Sequence, residues 1–397
     1  MFAATRRASA GQRSTIALAA ARGVLLGLGV LLLGACAGPA TAPAAPPQPP
    51  NPGGSPATGS PPVLGGSAGA VSGAAAPTQP PAPATVQVGL MLSASDTGFY
   101  IGVEQGYFAE QGITVEITPI QAAATMLAPL AAGQIDVGGT TLTPGFMNAI
   151  ARDVRIWAVA DKGSTPPGFG YQGLVIRREA WDNGTIRSAA DLRGRKVSVP
   201  SRGSGAQASL DKALRREGLT TDDVDITLLT FPDMEAGFAG GAIDGAIVIE
   251  PFLSSIVDHG VGHLYARNDE YYPNQQVAVV LYSDQFAREQ TDLARRFMVG
   301  YLKGVRDFND AWVKSNAAKR EAVIYALVKH TPIKDRGVYE RVAMPGLNPN
   351  GAINRESLAA DQEYFLSTGD QQQRVELSQV VDPQFADYAV QVLGRYQ

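Results

Sequence analysis

The chain is poor in the residues that build metal centres and cross-links. Its 397 residues hold one cysteine and three histidines. A single cysteine cannot form an intramolecular disulfide, and Cys36 would serve no thiolate cluster once modified. His259 and His263 stand four apart, but Gly260 and Gly262 interrupt a shared helix. That pair predicts a helix-to-strand turn rather than a metal site. Positive charge is also scarce: the formal net charge is −4. No basic run with interleaved aromatics occurs, which argues against a nucleic-acid partner. No cofactor motif is visible, nor any nucleophile–base pair with usable spacing, so the reading is a non-enzyme.

Long apolar runs are lacking too, except near the start. Arg6, Arg7, Arg13 and Arg22 precede an apolar stretch at 23–33. It is short for a bilayer and ends in small residues, as a signal peptide does. Leu33-Gly34-Ala35-Cys36 resembles the bacterial lipobox, so residues 1–35 are expected to be removed and Cys36 to carry lipid. Residues 36–85 follow as a tether of Ala, Pro, Gly and Ser with no charged side chain. Such a segment cannot bury a core. Loss of the four leader arginines would take the formal charge from −4 to −8. The expected location is the outer side of the plasma membrane, held by the lipid.

What remains, 86–397, has the rhythm of an α/β fold. Strands are predicted at 86–92, 114–120, 135–138 and 154–160, with helices between them. The rhythm restarts with strands at 196–199, 226–231 and 246–249. Another strand follows at 277–282, and residues beyond 290 read as helical. Alternating strands and helices predict parallel sheets. Two such units predict two lobes, 86–180 with 275–397 and 181–274, with the chain crossing near 172–195 and again near 268–280.

Four segments carry a family resemblance. Tyr100-Ile101-Gly102-Val103-Glu104-Gln105-Gly106-Tyr107-Phe108 precedes Gly112-Ile113-Thr114-Val115-Glu116. Ala132 to Gly138, Asp191 to Val197, and Gly241 to Ala246 with Ile249-Glu250-Pro251-Phe252 follow in order. Together they resemble the sulfonate, nitrate and thiamine-precursor binding proteins of ABC importers. The resemblance implies a type II periplasmic-binding-protein fold with a ligand cleft between two lobes. It implies a small-molecule ligand, a permease with a cytoplasmic ATPase as partner, and a monomer. A eukaryotic branch of that family is enzymatic through a cysteine-rich motif, which this chain lacks.

The cleft residues can be chosen without the family. In open α/β sheets, ligands sit beyond the carboxyl ends of the strands. That rule selects Ser93 and Ser95 after the first strand, Thr140 and Thr141 after the third, and Lys162 after the fourth. It also selects Ser201, Ser204, Gly205 and Gln207, where small residues open a helix whose first amides can hold an oxygen. Ser201 or Ser204 could equally be a plain helix cap, and Arg202 could pair an anion or be solvated. Glu250 ends an apolar strand at the cleft, as a ligand acceptor or as half of a hinge salt bridge. Phe99, Tyr100, Phe169, Tyr171, Phe252, Tyr271 and Tyr272 crowd the same edges, with Tyr100 the leading candidate for stacking. Glu250 and the aromatics favour a flat heterocycle, a thiamine-type pyrimidine or riboflavin; an aliphatic sulfonate, taurine or nitrate is the alternative.

Overall fold

The computed structural model describes residues 82–397; the leader, Cys36 and the tether lie outside the described residues. Ten strands form two five-stranded sheets. They are β1 Ala84–Leu90, β2 Ile113–Pro119, β3 Val137–Thr140, β4 Ile156–Ser164 and β5 Gln172–Arg177. The rest are β6 Lys196–Val199, β7 Asp225–Leu228, β8 Gly245–Ile249, β9 Gly262–Arg267 and β10 Gln276–Ser283. The first sheet has the order β2-β1-β3-β10-β4 and the second β7-β6-β8-β5-β9.

The sheets are mixed, not parallel as the strand–helix rhythm predicts. β10 runs antiparallel to β3 and β4, and β5 antiparallel to β8 and β9. The cause is connectivity. β5 and β10 are the strands on which the chain arrives after changing sheets, so neither follows a right-handed crossover helix within its own sheet. The first change of sheet runs through 165–171. Gln172–Arg177 already pairs in the second sheet, ahead of the expected boundary at 180/181. The chain returns through 268–275. Neither β5 nor β9 is anticipated by the sequence rhythm, because both owe their pairing to distant partners.

Burial explains the strand choices. All eight residues of β10 are buried between β3 and β4, and its run Val277-Ala278-Val279-Val280-Leu281-Tyr282 is apolar throughout, as an inner strand covered on both faces requires. The 22-residue helix Thr291–Trp312 buries Phe297, Tyr301, Leu302, Val305 and Phe308 on one stripe. That stripe packs on the helix Thr97–Glu104. The backbones approach so closely that a side chain at Gly304 would run into the carbonyl of Gly98.

The helical tail links the sheets a third time. In helix Arg355–Ser367, Leu358 packs under the first sheet while Tyr364 and Phe365 reach Ala208 beside the second. The Tyr364 hydroxyl shares a 3.0 Å hydrogen bond with Thr221 Oγ1. Among the described residues, no helix is long and apolar enough to cross a membrane.

Candidate functional site

A cavity lies between the two sheets, at the ends the strand rule selects. Its enclosed volume is about 50 Å3, within about 480 Å3 of empty space counted to its mouth. Ser93, Ser95, Thr140, Thr141, Lys162, Val277 and Ala278 come from the first sheet and its loops. Gln172, Pro200, Ser201, Ser204, Phe231 and Ile249 come from the second, with Tyr171 at the crossing.

Lys162 is the cationic side chain of the lining, and it is 1% exposed. Its Nζ lies 2.6 Å from Asp96 Oδ1 and donates to Ser95 Oγ at 2.9 Å. An ammonium has three N–H donors, so one remains for the cavity. Asp96 stays behind the lining. Its Oδ2 accepts from the Ser93 amide at 2.8 Å and from Ser93 Oγ at 3.2 Å.

The rest of the polar wall is uncharged, made of hydroxyls and a carboxamide that can donate as well as accept. Thr140 Oγ1 and Gln172 Nε2 are buried without a hydrogen-bond partner. Ser204 caps the helix Gly205–Arg215 by accepting from the Gln207 amide at 3.2 Å, which leaves its own O–H to donate. The Gly205 and Ala206 amides, in the first turn of that helix, have no intrahelical acceptor. Helices that begin at Ala123 and Phe231 also present their first residues to the cavity. Several positive helix ends therefore converge where no carboxylate lines the wall. The Tyr171 phenol is held protonated well above its ordinary range by burial.

Seven of the eleven sequence-selected positions meet in this cavity: Ser93, Ser95, Thr140, Thr141, Lys162, Ser201 and Ser204. Four do not. Tyr100 is fully buried and stacks on His330, with centroids 5.0 Å apart and planes 7° off parallel. Glu250 is consumed locally. It accepts from the Ser254 amide and hydroxyl at 3.0 Å each, and Arg267 Nη1 lies 3.3 Å away. The hinge salt bridge is thus its observed role, and burial raises its carboxyl above the usual range. Gln207 turns its Oε1 back to the Gly203 amide at 2.8 Å. Gly205 sits where the lobes touch: a Cβ there would lie 2.9 Å from Thr141 Oγ1. Arg202 is exposed and outside the lining.

Sequence reasoning missed Gln172, Phe231 and Ile249. Gln172 is a polar residue opening the apolar run Leu174-Val175-Ile176, a signal masked by the preceding Pro166-Pro167-Gly168. Of the seven aromatics at the strand edges, Tyr171 lines this cavity. Phe252 lines a separate small pocket of about 30 Å3 that shares Met91 and Phe231 with this one. His259 pairs with Glu235 at 2.8 Å, and His263 stacks on Trp181 at 3.9 Å, on either side of the expected helix-to-strand turn.

Two sheets joined by crossing segments, with a cavity between them, define a two-lobe periplasmic-binding-protein fold. The alkanesulfonate-binding protein SsuA from Xanthomonas axonopodis pv. citri, bound to MOPS, shares that fold. The TM-score is 0.62 at 19% identity, covering 76% of this chain and 99% of that one. Residues 93–310, more than half of the chain, match the family described as NMT1/THI5 like, and the chain belongs to that family. An Escherichia coli protein named for binding aliphatic sulfonates is 32% identical over 136 residues, 34% of this chain and 40% of that one. A Brucella abortus protein named only for binding is 24% identical over 217 residues, 53% of this chain. The match spans 62% of that relative's length.

Proposed function

We propose that this chain is the extracytoplasmic solute-binding component of an ABC-type importer, and that its cleft takes a small molecule with an oxyanion head and an uncharged apolar tail, such as an alkanesulfonate. The observation that carries this is the cavity wall: Lys162, the unpartnered Thr140 hydroxyl and Gln172 Nε2, the helix start at Ser204 and Ala206, and no carboxylate in the lining. Oxyanions accept hydrogen bonds only, and this wall can offer them one ammonium, several hydroxyls and free amides with no carboxylate to repel them. Met91, Phe231, Ile249 and Val277 in the cleft lining supply apolar surface for a tail. The relative named for aliphatic sulfonates supports the same class.

The flat-heterocycle reading loses its leading stacking ring and its acceptor. Tyr100 offers no face, since His330 covers it, and Glu250 offers no free oxygen. Taurine carries an ammonium that no carboxylate in the wall would meet. Isothermal titration of the purified chain with an alkanesulfonate, taurine, nitrate and riboflavin tests the reading. Alkanesulfonate is expected to bind most tightly; tighter riboflavin binding would reject the assignment.

The chain is proposed to work as a monomer, lipid-anchored at Cys36 on the outer side of the plasma membrane, and to deliver its ligand to a permease driven by a cytoplasmic ATPase. Residues 82–171 with 276–397 form one lobe in this reading, and 172–275 the other. No turnover is proposed: the wall pairs no nucleophile with a histidine or free carboxylate, so it has no group to accept a proton at neutral pH.

A further inference from the structure

Behind the hinge lies a second, more open cavity of about 290 Å3, lined by no charged side chain. Both crossing segments wall it. Phe169 comes from the first, Asn274 from the second, and Gln276 opens β10, whose next two residues line the cleft. Asn309 on helix Thr291–Trp312 and Asn348 on the loop before helix Arg355–Ser367 form the opposite wall.

These carboxamides are fixed and yet unfinished. Asn309 Nδ2 donates to the carbonyls of Val305 and Leu347 at 2.9 Å each, which leaves its Oδ1 open. Asn348 Oδ1 accepts from the Asn350 amide at 2.9 Å, which leaves its Nδ2 open. The Asn348 amide is pinned to Asp161 Oδ2 at 2.7 Å. Asn274 is held in the left-handed region, φ 62°, by its amide's 2.7 Å bond to the Thr165 carbonyl, with its side chain free.

We infer that this hinge cavity is a second binding site, for a neutral hydroxyl-rich ring such as a monosaccharide. Charged ligands have nothing to pair with there, and burying an unpaired charge is costly. A hydroxyl both donates and accepts, which matches carboxamides that present an open oxygen on one side and an open N–H on the other. Half-buried Phe169 supplies a flat apolar face for the C–H side of such a ring.

The test titrates the full chain with D-glucose, D-galactose and D-mannose, using saturation-transfer NMR and calorimetry. Three variants accompany the wild type. Phe169→Ala removes the apolar face. Asn274→Gly removes only the side chain, because glycine accepts positive φ without strain. Thr140→Val/Gln172→Leu removes two donors from the cleft instead. Expected is saturable binding of at least one sugar, weakened about 3–10-fold by one or both hinge variants, the range a lost hydrogen bond or apolar contact produces. The cleft variant should leave it unchanged. Absence of saturable binding up to about 100 mM, well beyond the usual millimolar limit of specific recognition, overturns the inference. So does binding that neither hinge variant weakens, or that the cleft variant weakens.

Discussion

Lys162 and Asp96 form a buried ion pair, 2.6 Å apart, with side chains 1% and 0% exposed. The pair joins β4 to the turn after β1 and holds the cleft's cation where a ligand oxygen would meet it. Removing one partner of such a pair leaves the other charge buried and uncompensated.

Lys162→Met is therefore expected to cost about 3–5 kcal/mol of stability, the range for breaking a buried pair. Lys162→Met with Asp96→Asn should recover much of that loss while oxyanion affinity stays low. Chemical denaturation and calorimetry on the same samples separate the two effects. If the double variant regains full affinity, Lys162 is structural only.

Glu250 lies outside the cavity wall, so Glu250→Gln should change ligand affinity by less than about 3-fold, under one hydrogen bond's worth. Its bonds to Ser254 and its approach to Arg267 predict a stability loss of about 1–2 kcal/mol instead. A gain in affinity with no loss of stability would place the carboxylate beside the ligand after all.

Two buried carboxyls should contribute a loss of stability as pH rises from acid toward neutral. Burial pushes Asp361 up to about 7 and Asp161 up to about 6, both above the ordinary carboxylate range. Between the unfolded and folded values, the folded state binds more protons than the unfolded one. These two groups therefore contribute stability below about pH 4 that is lost as pH climbs through 6 to 7. Asp361→Asn should flatten that part of the melting-temperature profile while keeping an acceptor for the Tyr272 hydroxyl, now 2.8 Å from Asp361 Oδ1. An unchanged slope between pH 5 and pH 8 would contradict the assignment.

Cys36→Ala should release the chain from the membrane fraction or leave the leader uncleaved. Fractionation with N-terminal sequencing decides it. A processed variant that still sediments with membranes would mean the attachment is elsewhere.

The cleft's polar loops were legible because the strand-end rule acts locally. Ser93 and Ser95, Thr140 and Thr141, and Ser201 and Ser204 each stand at the end of their own strand or within a few residues of it, and all line the cavity. Tyr100 and Glu250 were legible only as candidates. What decides their role is the partner: His330 covers the first and Arg267 faces the second, and sequence order places neither beside it. Gln172 was hidden for a related reason. β5 exists because β8 and β9 flank it, and a strand defined by non-local, antiparallel neighbours leaves little rhythm in its own residues. The same limit explains why parallel sheets were expected where mixed ones formed.

The contact between Gly205 and Thr141 bears on timing. These two residues, from opposite lobes, approach until a Cβ at the glycine would lie 2.9 Å from the threonine Oγ1. When the lobes separate to release a molecule from the cavity, that seam is one of the contacts that must part. Part of the ligand's dwell time is then set by the seam, a part shared by every molecule held between the lobes. Relatively weak and relatively strong ligands would depart through the same slow step, and differ mainly in how often the opened protein lets go before it shuts again. A transporter that grips the two lobes and spreads them could empty the cavity without touching its contents.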